Sequence, residues 1–309
     1  MSGEARMPAR VCLIGMQIDL GAGRRGVDMG PSALRLADLH ARLGEIQVDV
    51  EDSGDLSASI PEAAARGDAR LRYRDTIRDA CAELGLRVEA ALAAGRIPLA
   101  LGGDHSLAIG SVAGASSWFR GRGEALGGIW VDAHADFNTA ATTPSGNIHG
   151  MALAICCGLG DPALTGLLGF APKFEPRRCA LIGARDLDPG ERDNLRAAGV
   201  SVFTMRDVDE QGIRRVMDQA LEVAGRGTAG VHLSFDMDVL DPTEAPGTGT
   251  PVRGGISYRE AHLAMEVLAD AGALRSMDLV EINPVLDERN KTAALGVELI
   301  CSALGKKIY

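Results

Sequence analysis

Short apolar runs recur along this chain at 11–16, 46–50, 97–101, 128–131, 179–182, 200–204, 230–235 and 277–282. Between them lie glycine-rich loops and stretches with helical spacing, such as 73–94, where Ile77, Cys81, Leu84, Val88 and Leu92 share a face. Runs of this length and character read as buried strands, and helices between them carry the chain back to the same end of a sheet. The pattern predicts an α/β chain with a largely parallel, doubly wound sheet. Further helices are expected after Ser32, after Ser106, over 151–159, from Glu191, over 208–224, over 258–271, and after Pro284 to about Leu304. With no linker, composition break, repeat or low-complexity tract, residues 1–309 are expected to form one domain.

The net charge of −10 argues against a nucleic-acid or anionic-membrane surface and fits a cationic ligand. Cys12, Cys81, Cys156, Cys157, Cys179 and Cys301 are scattered, with no C-x-x-C spacing, and read as reduced core thiols of a cytoplasmic protein. The N-terminal segment lacks the apolar stretch of a signal peptide. The most apolar long window, 151–172, is interrupted by glycines, Asp161 and Pro162, which rules against a membrane span. A glycine-rich loop follows the first strand, but without G-x-G-x-x-G a dinucleotide site is excluded.

The polar residues that interrupt this pattern fall at strand ends. Asp132, His134 and Asp136 follow the run 128–131, and in an extended backbone such alternation converges on one face. Asp236 and Asp238 close the run 230–235; His105, Asp186, Asp188 and Glu281 each follow or close another strand. Ligands of open α/β sheets bind at that carboxyl edge. Taken singly, His105 reads as a satisfied structural side chain and an Asp as part of a solvated turn; taken together they read as one site. Four carboxylates and two imidazoles without a thiolate carry too much charge for one dication but suit two hard first-row ions, Mn²⁺ first, with Co²⁺ or Zn²⁺ as substitutes. Two such ions roughly 3.5 Å apart can share a water and lower its pKa, which points to hydrolysis at an unreactive carbon.

Six segments carry a resemblance: GGDHS (102–106), DAHADFN (132–138), SGNIHG (145–150), SFDMDVLDP (234–242), GTGTPVRGG (247–255) and VEINP (280–284). The sequence resembles the ureohydrolases, and within them the arginase family, over nearly its whole length. SGNIHG and the placement of Asn138 favour arginase over agmatinase. Ala152 and Val239 stand where many of that family have Pro and Gly, beside the site and not in it.

The resemblance implies a three-layer α/β/α fold with a mostly parallel eight-stranded sheet, usually in homotrimers or homohexamers. It implies one Mn²⁺ on His105, Asp132, Asp136 and Asp236, and a second on Asp132, His134, Asp236 and Asp238, with a bridging hydroxide. His149 is then the proton shuttle and Glu281 the partner of the guanidinium. Asn138, Thr143 and Ser145 stand where the α-carboxylate of L-arginine binds, Asp188 where its α-amino group binds, and Asn147, Glu191 and Thr250 support them. The implied reaction converts L-arginine to L-ornithine and urea. The alternatives are a ureohydrolase acting on agmatine or another guanidine, and a metal-binding scaffold without turnover.

Overall fold

The computed structural model describes residues 9–307. Among them, eight strands form one sheet: β1 (Arg10–Gln17), β2 (Asp49–Ser57), β3 (Ile97–Leu101), β4 (Gly127–Val131), β5 (Cys179–Ala184), β6 (Ser201–Thr204), β7 (Val231–Asp236) and β8 (Leu274–Val280). Their order is β2-β1-β3-β8-β7-β4-β5-β6, and every pairing is parallel. The α-helices are α1 (Gly30–Leu36), α2 (Leu39–Glu45), α3 (Arg74–Ala93), α4 (Ala108–Arg120), α5 (Ala152–Cys156), α6 (Pro162–Thr165), α7 (Pro189–Ala198), α8 (Met205–Gln211), α9 (Ile213–Gly225), α10 (Tyr258–Ala271) and α11 (Lys291–Ala303).

Alternation along the strands divides the interior into two cores. Leu13, Leu99, Ile129, Ile182 and Leu233 face one core, closed by α1, α2, α9, α10 and α11. Ile14, Ala100, Trp130, Leu181 and Val280 face the other, closed by α3, α4 and α5. This is the expected three-layer architecture. The glycines of α4 let it press against α3: a Cβ on Gly114 would stand 2.1 Å from the Gly85 carbonyl oxygen.

Three local expectations are revised. The second strand runs Asp49–Ser57, beyond the apolar run at 46–50, and is a mostly exposed edge strand. Its acidic residues are tied by Arg35 to Asp52 (2.8 Å) and Asp55 (2.6 Å) and by Arg96 to Glu51 (2.8 Å), charge that also discourages edge-to-edge pairing. The helix expected over 208–224 is two helices, broken at Gly212 with φ 80°. Strand β8 stops at Val280, so Glu281 follows it with φ 63°, in the left-handed region.

The consequence for function lies in sheet order. β3, β8, β7, β4 and β5 are consecutive neighbours. Their carboxyl ends deliver His105, Glu281, Asp236, Asp132 and Asp186 to one rim. The chain leaves β3 and re-enters at β4 with β8 and β7 between them, opening a crevice at the rim where such sheets hold ligands.

Candidate metal centre and substrate cleft

His105 reaches the rim through a tight turn. Gly102 and Gly103 have φ 62° and 78°, and a Cβ on either would stand 2.6 Å from Pro31 or the Met16 carbonyl oxygen. Asp104 then caps the short 3₁₀ turn His105–Leu107 by accepting the Ser106 N–H at 2.9 Å, while its other oxygen accepts the distant Gly21 N–H at 2.8 Å. His105 Nδ1 comes to 3.2 Å from Asp132 Oδ2, 2.9 Å from Asp136 Oδ2 and 3.1 Å from Asp236 Oδ2. His134 Nδ1 lies 3.1 Å from Asp238 Oδ2 and 3.5 Å from Asp132 Oδ1.

Three of the four carboxylates, those of Asp132, Asp236 and Asp238, are held from behind. Asp132 accepts the Trp130 indole N–H at 3.1 Å and the His134 backbone N–H at 2.7 Å. Asp236 Oδ1 accepts the Asp238 N–H at 2.8 Å, leaving Oδ2 to face His105. Asp238 accepts the Thr250 hydroxyl at 2.9 Å and the Ala133 N–H at 3.3 Å. The convergence of Asp132, His134 and Asp136 arises differently from the extended alternation expected. β4 ends at Val131, and Asp136 sits in the left-handed region at φ 52°. A non-glycine residue there is uncommon and costs of order 1 kcal/mol, borne where surrounding contacts over-determine it.

Charge and unmet bonding identify what this cluster can hold. Two triplets, His105–Asp132–Asp136 and Asp132–His134–Asp238, each place ligand atoms within 4.8 Å of one another, and Asp132 belongs to both. His105 Nδ1 and Asp136 Oδ2 are buried without a hydrogen-bond partner of suitable angle. Burial and the Asp132 charge lift the Asp136 carboxyl to about 6. Burial and the Asp238 and Asp132 charges raise Asp236 far above the ordinary range. Against the effect of burial, the surrounding carboxylates hold His105 and His134 well above the usual imidazole value. Buried anions in such excess require compensating positive charge, and this nitrogen–oxygen donor set fits divalent first-row cations.

Above the cluster lies a cleft of about 280 Å³ lined by His134, Asp136, Asn138, Thr143, Ser145, Asn147, His149, Asp186, Asp188, Glu191, Asp236 and Thr250. A lobe beside it, bounded by Arg24, Gly249 and Glu281, shares His134, His149 and Thr250. Every anticipated site residue thus lies on this cleft or directly beneath it. The Asn138 amide donates to Asp188 Oδ2 at 2.9 Å, while Asn138 Oδ1 is buried and unpartnered. Glu191 offers no free group: its oxygens accept the Phe137 N–H at 2.8 Å and the Asp188 N–H at 3.1 Å. Burial lifts its carboxyl to about 7. His149 Nδ1 lies 3.0 Å from Glu281 Oε1. Burial works against its charge, but the Glu281 carboxylate prevails and lifts His149 to about 9.

The model of the arginase family matches residues 9–305 of this chain. The chain belongs to the arginase family. It is 50% identical over 299 residues to an arginase of Bacillus caldovelox, covering 96% of this chain and 99% of that protein. It is 47% identical over 302 residues to an arginase of Bacillus subtilis, covering 98% and 100%. The native structure of the Bacillus caldovelox arginase at pH 5.6 matches with a TM-score of 0.93 at 49% identity, over 98% of this chain and 100% of that one. This arginase-family chain is accordingly an enzyme, a hydrolase, with the α/β fold of its relatives.

Several residues of the arginase-family site escaped the sequence reading. Trp130 holds Asp132 and stacks on His105, ring centroids 4.3 Å apart. Arg185 donates to the carbonyls of Asp238 (2.8 Å), Val239 (3.0 Å) and Val252 (2.8 Å), fixing the loop after β7 beneath the cluster. Ser234 touches His105 Nε2 at 2.7 Å. The available signal was adjacency: Trp130 and Ser234 each stand two residues before a candidate ligand, and Asp104 stands beside His105.

Proposed function

We propose that this chain hydrolyses the guanidinium group of L-arginine, giving L-ornithine and urea with two Mn²⁺ per subunit. The observation that carries the reading is the pair of donor triplets sharing Asp132, with His105 Nδ1 and Asp136 Oδ2 buried and unpartnered between them. One ion would be held by His105, Asp132, Asp136 and Asp236, the other by Asp132, His134, Asp236 and Asp238; Co²⁺ suits the same donors. When bound, the ions supply an acidified water as nucleophile for an otherwise poor electrophile.

The chain's own groups do the rest. Glu281 Oε2 is buried without a partner, which suits it to orient the substrate cation. His149, charged beside Glu281, holds the proton that the departing δ-amine of ornithine needs as the carbon–nitrogen bond breaks. A guanidinium arriving at Glu281 competes with His149 for that carboxylate and loosens its hold on the proton. Asn138, Thr143 and Ser145 are assigned to the α-carboxylate and Asp188 to the α-amino group. Asn147, Glu191 and Thr250 keep those groups in place, Glu191 by capping α7 and Thr250 by bonding Asp238.

We further propose that the chain acts as one domain, in the cytoplasm, as a homotrimer or homohexamer. Among the described residues no helix is long and apolar enough to cross a membrane. Protein stripped of metal, reloaded with Mn²⁺ and supplied with L-arginine should release ornithine and urea in equal amounts, and a chelator should stop both. Ornithine without urea, or turnover untouched by chelation, would contradict the reading.

A further inference from the structure

A stripe of polar side chains crosses the core behind His105. On β7, His232 and Ser234 lie on the same face, in register with Ser276 and Asp278 of β8. Ser111 of α4 closes over them, and all five residues are at most 1% exposed. Polar groups so deep in an apolar core are costly unless fully bonded. Here they are: Asp278 Oδ1 accepts the Ser234 hydroxyl at 2.5 Å, and Oδ2 accepts from Ser111 at 2.5 Å and His232 Nε2 at 2.9 Å. His232 Nδ1 meets Ser276 Oγ at 2.8 Å.

The bonding order fixes a tautomer. A hydroxyl has one proton, and Ser234 gives its proton to Asp278. Ser234 Oγ must therefore accept from His105 Nε2, 2.7 Å away. With Nε2 committed to Ser234, Nδ1 is the nitrogen whose lone pair would serve a bound cation, among oxygens of Asp136, Asp132 and Asp236 at 2.9–3.2 Å. A carboxylate behind the far nitrogen of an imidazole ligand both orients the ring and makes its donor atom more basic. Burial opposes a charge on Asp278, but His232 and the hydroxyls outweigh it and keep the carboxyl below its ordinary range.

We propose that Asp278, seated by His232, is a positioning carboxylate of the metal centre: acting through Ser234, it fixes His105 as an Nδ1 donor and strengthens its hold on the cation. The inference rests on the two-metal reading above. Asp278 touches neither substrate nor cation, and it stands on β8, remote in sequence from every proposed ligand.

The test is calorimetric titration of the metal-free full chain with Mn²⁺. Asp278→Asn keeps an acceptor for Ser234 and removes the charge. It should weaken one equivalent of Mn²⁺ by about 10–100-fold, in line with loss of such partners elsewhere, and leave the other near wild type. Ser234→Ala should weaken the same equivalent, and the double variant should lose no more than either single one. Ser111→Ala removes a bond to the same carboxylate off the path to His105 and should bind Mn²⁺ within about twofold of wild type. Equal weakening of both equivalents in Asp278→Asn would indicate a merely structural role and overturn the inference. So would equal losses in Ser234→Ala and Ser111→Ala, a comparison that decides the matter even if Asp278→Asn does not fold. Wild-type protein that binds no Mn²⁺ would bring down the two-metal reading and this inference together. Wild type binding two equivalents, matched by all variants, would overturn this inference alone.

Discussion

Glu281 Oε1 lies 3.0 Å from His149 Nδ1 and also accepts the His105 backbone N–H at 2.9 Å. One carboxylate oxygen thus joins the proposed proton carrier to the turn that bears a proposed metal ligand. The other oxygen, Oε2, is buried and without a partner. Glu281 can therefore receive a guanidinium on one oxygen while the other keeps the site in register.

The first prediction concerns pH and the metal-free fold. Glu281 lifts His149 from 6.5 to about 9 against the effect of burial. A folded-state value above the unfolded one means that the pair adds stability in full below 6.5 and loses it as pH rises through about 9. Thermal unfolding of metal-free wild type and His149→Gln should differ most below 6.5 and converge above about 9. A constant offset across that window would contradict the assigned pairing.

The second concerns the shared ligand. Asp132 belongs to both donor triplets, whereas Asp238 belongs to one. Asp132→Ala should abolish binding of both ions, and Asp238→Asn should weaken one and lower kcat by about two orders of magnitude or more. Metal analysis after dialysis checks this. Equal occupancy in the two variants would show that Asp132 is not shared.

These residues also show what the sequence makes legible. β3 reads to the residue because a five-residue apolar run, Ile97–Leu101, is bounded by Gly95 and Gly102. β2 does not, because an edge strand needs only one partner and here carries Asp49, Glu51, Asp52 and Asp55, matched to arginines distant in sequence. The candidate metal-binding cluster was visible as residue types at strand ends, although its convergence comes from a turn with Asp136 at positive φ and not from pleating. Asp278 was hidden: β8 reads as a buried apolar strand, and only sheet order puts its carboxylate beside Ser234 of β7.

The third prediction concerns the cleft wall. Asn138 bonds Asp188 with its amide and keeps a buried, unpartnered Oδ1 at the cleft. Asn138→Ala should raise KM for L-arginine by about tenfold or more while changing kcat little, the mark of a lost binding contact remote from the chemistry. A fall in kcat at constant KM would place Asn138 in the chemistry instead.

The fourth concerns the proton. Positioned acids contribute about 10²–10⁴-fold, so His149→Asn should lower kcat by that order while Mn²⁺ content stays unchanged. Loss of metal together with activity would make His149 a ligand and remove it from the proton-transfer role.

The most direct measurement is urea release by the Mn²⁺-loaded protein offered L-arginine and agmatine side by side. Agmatine has the same guanidinium but no α-carboxylate, so it tests the metal chemistry and the Asn138–Asp188 wall at once. The account predicts urea from L-arginine at a kcat/KM at least about 100-fold above that for agmatine, as expected when a site built for polar groups meets a substrate lacking them. Equal rates for the two, or urea from agmatine alone, would contradict it.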